Sequence, residues 1–486
     1  MKLSELLRGA AQLPEGIKDI QITKISSDTR DEIDSGTLFV CLKGAKFDAH
    51  DAVPELEKKG VGAVVTERDC AVGNQIIVPD TRLALSRIWA NMYSNPEKKM
   101  KFIGVTGTNG KTTTTTLIKR LLDDLSIPAG LIGTCQNEIC GEVTHAERTT
   151  PEPNEFFELL DRMAESGCRY VVMEVSSQGL EQQRLGDVWF ETAVFTNLTQ
   201  DHLDVHGTME NYYQAKKLLF SRCTNALVNI DDEYGARLYG EISCNKFSFS
   251  EKNSDADFSA DFIKLHGGGS SYWLSDRKKT YKVDIRLPGS YNVSNSMAAI
   301  CALELCGIGM DKTAAGIAKI PGVRGRCELV DTGRDFSVIL DYAHTPDALV
   351  NILETVREFA KGRVVCLFGC GGNRDAKKRP LMAKAAAENA DFLIITSDNP
   401  RDEDPHEIIT QIIKGLDADF KEYIEIDNRR DAIFWAVKNA QKDDVIVLAG
   451  KGHEDYQILA GGVKIHFDEH EVVKDALAAA FADEGK

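Results

Sequence analysis

Val105-Thr-Gly-Thr-Asn-Gly-Lys-Thr-Thr113 follows the apolar run Lys101-Phe-Ile-Gly-Val and precedes a helix-like segment over residues 114–125. A strand running into a Gly- and Thr-rich turn, then a helix, is the setting a phosphate cradle needs. Gly107 and Gly110 let backbone N–H groups close on phosphate oxygens, with Thr108 and Asn109 between them. Lys111 is placed to reach terminal phosphates, and the hydroxyl of Thr112, next to Thr113, can ligate Mg²⁺. The strict phosphate-loop pattern asks for Gly where this chain has Val105, so the stretch is a variant. Its consequence is a nucleoside-triphosphate site on an α/β scaffold.

Outward from this stretch, 486 residues suggest about three domains. Residues 1–97 alternate short apolar runs with polar turns: GTLFVCLKG, GVGAVVTE and NQIIVPD read as strands. Helices are expected near Pro54–Gly60 and Leu83–Tyr93. Tyr93-Ser-Asn-Pro-Glu-Lys-Lys reads as a linker. Residues 98–328 alternate strands such as Tyr170–Val175, Thr192–Phe195 and Ala226–Ile230 with helical segments, which argues for βαβ units and a mostly parallel sheet. A β insertion is expected over 253–283. Residues 329–486 repeat the rhythm, with strands at 337–340, 363–368, 392–396 and 444–448, each ending in a polar or Gly-rich loop. Open α/β sheets bind ligands at such carboxyl ends.

Composition narrows the classes. Hydrophobic residues make up 43% and charged residues 27%, which excludes wholesale disorder. A net charge of −17 argues against a nucleic-acid or anionic-membrane coat, although a local basic pocket for a small anion remains open. MKLSELLRGAAQLPEG has no apolar core, so no secretory signal is expected, and no apolar run approaches a membrane span. The 12 cysteines are expected to be reduced thiols packed as small hydrophobes in a cytoplasmic protein.

Two further clusters bear on chemistry. Met173-Glu-Val-Ser-Ser-Gln-Gly-Leu180 puts Glu174 at a strand end, as a hard oxygen ligand for Mg²⁺ or as a capping or ion-paired glutamate. Asp201, His202, Asp204 and His206 crowd a loop after another strand, and Lys216 follows on a helix. Read alone, Lys216 is a surface lysine.

Taken in order, Gly107–Thr113, Thr149-Thr-Pro151, Glu174-Val-Ser-Ser177, Asn197…Asp201-His-Leu-Asp204, Ala215-Lys216, Tyr291-Asn-Val-x-Asn295, Gly325-Arg326 and Asp341-Tyr-Ala-His344 resemble the Mur ligase family. These are ATP-dependent amide-forming enzymes of peptidoglycan precursor synthesis. The resemblance implies an N-terminal UDP-substrate domain, a central ATPase domain with a parallel sheet and a C-terminal Rossmann-like domain. It places Lys216 at the position the family carbamylates, and Thr112, Glu174, His202 and carbamylated Lys216 on the metal side. Asn292, Arg326, His344 and Arg429 fall with Gly107–Thr113 on the ATP side. Ser27 and Thr29 match a UDP-holding segment, and Thr149, Thr150, Ser176, Gln182 and Arg184 match contacts to the muramoyl peptide. The family's Pro-Gly-Arg appears here as Arg324-Gly-Arg326, so the turn before Arg326 is expected to differ.

In the last third, Gly369-Cys-Gly-Gly-Asn-Arg-Asp375, Ser397-Asp-Asn-Pro-Arg401 and Leu448-Ala-Gly-Lys-Gly-His-Glu454 each follow a strand. Guanidinium for carboxylate and Asp/Glu for ammonium read as a zwitterionic amino-acid site. Asp398-Asn-Pro-Arg401 resembles the signature of family members that add meso-diaminopimelate to UDP-N-acetylmuramoyl-L-Ala-D-Glu. On that resemblance Arg374, Asp398, Asn399, Pro400, Arg401, Gly450 and Glu454 line the site. The alternatives are a family member adding L-lysine, or a folylpolyglutamate-synthase-like ligase, for which the first 97 residues leave little room. The expected ligands are ATP and Mg²⁺, with no nucleic-acid or membrane partner and a monomeric chain.

Overall fold

The computed structural model describes residues 1–44, 47–201, 203–266 and 268–481, with the side chain of Asp204 excepted. The chain divides into two compact units: residues 1–258 with 298–309, and residues 259–297 with 310–486.

The first unit begins with strands β1 (Lys24–Ser26), β2 (Thr37–Val40), β3 (Ala63–Thr66) and β4 (Gln75–Ile77), paired in that order and all parallel. β2 and β3 are buried throughout, as a parallel sheet covered on both faces requires. The helix Thr81–Met92 packs on this layer, with Asp80 accepting the Leu83 N–H at its start. The expected linker is a single 3₁₀ turn, Pro96–Lys99.

The unit's main sheet follows with β5 (Lys101–Thr106), β6 (Ala129–Ile132), β7 (Gln136–Ile139), β8 (Glu142–His145), β9 (Tyr170–Glu174), β10 (Phe190–Phe195), β11 (Cys223–Asn229) and β12 (Asn245–Ser250). Their spatial order is β12-β11-β10-β5-β9-β6-β7-β8. Pairing is parallel from β12 to β6 and antiparallel through β7 and β8. β5 sits between β10 and β9, so the carboxyl ends of three strands surround the loop that follows it. The helix after that loop starts at Lys111, three residues before the periodicity suggested. Thr112–Thr115 are buried helix, but β-branched threonines have low helix propensity and masked the start.

The second unit carries the expected insertion as an antiparallel meander, β13 (Phe258–His266), β14 (Gly269–Ser275) and β15 (Thr280–Ile285). Its main sheet comprises β16 (Glu328–Val330), β17 (Ser337–Asp341), β18 (Val364–Phe368), β19 (Phe392–Thr396), β20 (Tyr423–Ile426) and β21 (Val445–Ala449), in the order β16-β17-β21-β18-β19-β20. Only β16 is antiparallel. Helices cover both faces, giving two apolar layers, one around Leu349, Ile352 and Met382 and one around Ile433, Val437 and Val473. The loops after β17, β18, β19 and β21 leave the same edge.

The fold is α/β, and among the described residues no helix is long and apolar enough to cross a membrane. The described cysteines are all free.

Candidate active site

The phosphate loop is held from behind by its neighbour after β10. Asn197 accepts the Asn109 N–H on Oδ1 at 2.9 Å and the Thr108 N–H on its carbonyl at 2.9 Å. Thr196 Oγ1 donates to the Asn109 carbonyl at 2.6 Å. Gly107 has φ +146°, and a Cβ there would stand 1.9 Å from Thr196 Oγ1, so only glycine fits. Gly110, at φ +85°, caps the helix that Lys111 opens.

Two lysines meet on this loop. Lys111 Nζ donates to the carbonyls of Gly107 (2.9 Å) and Thr108 (2.8 Å), and Lys216 Nζ donates to the same Gly107 carbonyl at 2.8 Å. Lys216 is 2% exposed, with its Nζ 4.4 Å from the centre of the Tyr212 ring. Burial, reinforced by the Lys111 charge and only partly offset by Asp201, pushes its pKa well below that of an ordinary lysine. The surface reading of Lys216 thus gives way to a buried amine biased toward its neutral form.

Beside β5, Glu174 ends β9 with its carboxylate buried. Thr134 donates its N–H to Oε1 (2.8 Å) and its hydroxyl to Oε2 (2.9 Å), and Thr134 Oγ1 lies 2.9 Å from Thr149 Oγ1. Thr150 Oγ1 donates to the Glu174 carbonyl (3.0 Å) and accepts the Ser176 N–H (3.0 Å). Arg184 donates to the Thr150 carbonyl (2.8 Å) and to Gln182 Oε1 (2.7 Å). Thr149, Thr150, Ser176, Gln182 and Arg184, expected together, therefore form one hydrogen-bonded patch around Glu174. Ser27 and Thr29 lie half-buried in the loop after β1. His202 lies outside the described residues.

In the second unit, four strand ends converge. A Cβ on Gly371 would stand 2.9 Å from Arg401 Nη1 and 3.7 Å from Arg374 Cγ, so both arginines lie against the loop after β18. Arg401 donates to the Gly372 carbonyl (2.9 Å), and its backbone adopts φ +52°. Such a left-handed non-glycine is held by its surroundings, here an N–H bonded to the Ile458 carbonyl at 3.1 Å. A Cβ on Gly450 would approach Asp398 Oδ2 to 3.0 Å, and Asn399 donates to Glu454 Oε2 at 3.0 Å. Burial opposes ionisation of Asp398, but the charges of Lys451 and Arg429 outweigh it and hold its carboxyl below the usual range. Pro400 is buried beside Asn399.

On the other side of this edge, Asp341 accepts N–H groups from Cys327 (2.7 Å) and Ala343 (2.8 Å). Arg326 lies over the Tyr342 ring at 4.9 Å, and His344 is exposed against that ring. Gly325 takes φ +67°, and a Cβ there would strike the His453 nitrogen at 2.2 Å. The residue before it, Arg324, is free to pair with Asp468 (2.7 Å), the local use of the position where proline was expected. Asn292 is buried, donating to the Pro288 carbonyl. Arg429 is enclosed: its guanidinium bonds Glu469 (2.8 Å) and the Ala449 carbonyl (2.9 Å). It braces the sheet edge from within.

Comparison with known proteins decides the family. Residues 105–303 match the Mur ligase middle domain, and residues 325–452 match the Mur ligase glutamate ligase domain. A UDP-N-acetylmuramoyl-L-alanyl-D-glutamate--2,6-diaminopimelate ligase of Clostridium tetani is 43% identical, covering 98% of this chain and 99% of the relative. The chain belongs to the Mur ligase family. A solved structure of a 2,6-diaminopimelate ligase of the same name superposes with a TM-score of 0.70 at 32% identity, covering 99% of both chains. Folylpolyglutamate synthase of Mycobacterium tuberculosis, at 17% identity and a TM-score of 0.61, shares the fold over only 76% of this Mur ligase. As a family member the chain is an ATP-using acid–amino-acid ligase.

Several residues of this Mur ligase site escaped the sequence reading. Lys451, fully enclosed, donates to Asp398 (3.3 Å), Asn399 (3.1 Å) and Glu454 (3.1 Å), tying three pocket residues together. Its place between two glycines in a strand-end loop was the available signal. His206, by contrast, was already part of the polar cluster noted after β10; it shares a 2.9 Å hydrogen bond with Ser177 Oγ, lies 3.3 Å from Glu181 and stacks on Tyr212. Thr134, which orients Glu174, carried no signal, since it belongs to the short β6–β7 connection.

Proposed function

We propose that this Mur ligase joins meso-diaminopimelate to the γ-carboxylate of D-Glu in UDP-N-acetylmuramoyl-L-Ala-D-Glu, through an acyl phosphate made from ATP. Residues 1–97 serve the UDP end, 98–328 the ATP and the acceptor peptide, and 329–486 the incoming amino acid. Ser27 and Thr29 hold the UDP moiety, and Thr149, Thr150, Ser176, Gln182 and Arg184 hold the peptide. In the second unit, Asn292, Arg326, His344 and Arg429 are the residues that the family resemblance assigns to ATP. The relatives named for this reaction support the reading over the full chain.

A carboxylate is a poor acylating agent, so activation comes first: the D-Glu carboxylate attacks the γ-phosphorus and ADP leaves. Backbone N–H groups of Gly107–Thr113 and the Lys111 ammonium offset the repulsion between these two anions. The amine of meso-diaminopimelate then attacks the acyl carbonyl, and phosphate departs. Carbamylation of Lys216 needs a neutral amine, which its burial beside Lys111 favours.

The donor set also fits Mg²⁺. Thr112 offers a hydroxyl, Glu174 keeps a lone pair on each oxygen beyond its bonds to Thr134, and a carbamate on Lys216 adds oxygen where ammonium would repel a cation. His202 belongs to the same proposed set. Bound there, the ion would neutralise phosphate charge.

The observation that carries the choice of amino acid is Arg401, lying with Arg374 along Gly371 in the loop after β18. Diaminopimelate is lysine with a second carboxylate, and that carboxylate needs a guanidinium. The chain works as a cytoplasmic monomer without nucleic acid or membrane, in keeping with its net charge of −17. Phosphate release should require ATP, the UDP-linked dipeptide and meso-diaminopimelate together. Release with ATP alone, or equally fast with L-lysine, would overturn the reading.

A further inference from the structure

Two thiols in the first unit stand in contact away from the proposed chemistry. Cys140 Sγ lies 3.3 Å from Cys168 Sγ, although the residues are 28 positions apart. Both are fixed by turns. Cys140 (φ +48°) and Gly141 (φ +96°) form the two-residue hairpin turn between β7 and β8, where Ile139 pairs with Glu142. Cys168 follows Gly167 (φ +76°) in the turn that leads into β9, and its N–H donates to the Met163 carbonyl. Cys140 is exposed and Cys168 is buried. β7 is anchored from below, since Glu138 accepts from Lys119 (2.7 Å) and from Arg120 (2.8 Å). The hairpin therefore cannot drift from the sheet without breaking a buried ion pair.

From this contact we propose that Cys140 and Cys168 form a reversible thiol-oxidation site, which a low-molecular-weight disulfide converts to an intrachain disulfide. The exposed Cys140 thiolate attacks one sulfur of the small disulfide, giving a mixed disulfide and releasing one small thiol. Cys168 then loses its proton and attacks the Cys140 sulfur, the protein S–S bond forms and the second small thiol leaves. Two protein thiols are oxidised and one small disulfide is reduced to two thiols. Burial, with the neighbouring thiol, pushes the Cys168 thiol up to about 12, and the exposed Cys140 is the sulfur that a small disulfide reaches first. The bond closes a loop containing Thr149, Thr150 and the helix Pro153–Glu165, which restricts the unfolded chain. The inference rests on the thiol geometry alone and is independent of the proposed reaction.

Cys223 and Cys244, with sulfurs 3.7 Å apart, provide an internal comparison. The full-length protein is incubated with oxidised glutathione and digested without reduction. The expected result is a Cys140–Cys168 linked peptide that dithiothreitol removes, and a thermal midpoint raised by on the order of 5 °C. Cys168→Ser should stop at a glutathionyl adduct on Cys140, and Cys140→Ser should leave Cys168 unmodified. The proposal is overturned if both thiols of the wild type still alkylate after oxidation. It is also overturned if Cys140 carries only glutathione, or if the linked pair is Cys223–Cys244 alone.

Discussion

Lys111 and Lys216 donate their Nζ groups to one carbonyl, that of Gly107, at 2.9 and 2.8 Å. Burial first, then the Lys111 charge, lower the pKa of the deeper Lys216 well below that of an ordinary lysine, which favours its neutral form. Its lowered native pKa means that the unfolded chain binds one more proton over the window between the two values. Stability therefore rises with pH across that window. A neutral amine accepts CO₂, so turnover should fall as pH drops through the lowered pKa and when bicarbonate is removed. Lys216→Ala should lose on the order of 10²–10³-fold in kcat. ¹³C-bicarbonate NMR should show a carbamate signal in the wild type that Lys216→Ala lacks.

Gly107→Ala should be worse than its size suggests. The new Cβ would sit 1.9 Å from Thr196 Oγ1 in a backbone region that L-residues avoid. A loss of about 3 kcal/mol or more is expected in denaturant unfolding, together with loss of nucleotide binding.

Lys451→Met should leave Asp398 and Glu454 without the ammonium that sits between them. Breaking a buried ion pair on one side costs about 3–5 kcal/mol. Lys451→Arg, which keeps the charge, should recover part of this. Chemical unfolding measures the stability loss, and the KM for the amino acid should rise in the Met variant while the KM for ATP stays near its original value.

His470 holds the start of the last helix to Glu328, at 3.2 Å. The hydrogen bond to Glu328 raises the His470 pKa above its ordinary value. The stabilisation is therefore complete below the unfolded-state pKa and is lost as pH rises through the higher native value. Because the ring is partly exposed, the contribution is under about 1 kcal/mol. Thermal midpoints of the wild type and His470→Gln should differ at pH 5.5 and converge near pH 8.5.

Much of this was legible in the sequence because it is local. The strand, glycine turn and lysine of residues 101–113 are consecutive, so their geometry follows from backbone sterics. The parallel core strands are unbroken apolar runs. The antiparallel edge β7–β8 was illegible, because Gln136-Asn-Glu-Ile139 looks like surface until Lys119 and Arg120 arrive to neutralise Glu138. The resemblance places Arg429 on the ATP side, and nothing near it in sequence announces Glu469, which encloses its guanidinium. Lys216 looked exposed for the same reason: its burial depends on Gly107 and Tyr212 in three dimensions.

We propose that Arg401 recognises the carboxylate that distinguishes diaminopimelate from lysine. The direct measurement is kcat/KM for meso-diaminopimelate and for L-lysine in the wild type and in Arg401→Ala. The expected result is a wild-type preference for meso-diaminopimelate of at least about 100-fold, with the variant losing about 2–5 kcal/mol for that substrate and little for lysine. Equal use of both substrates by the wild type, or undiminished meso-diaminopimelate turnover in the variant, would contradict it.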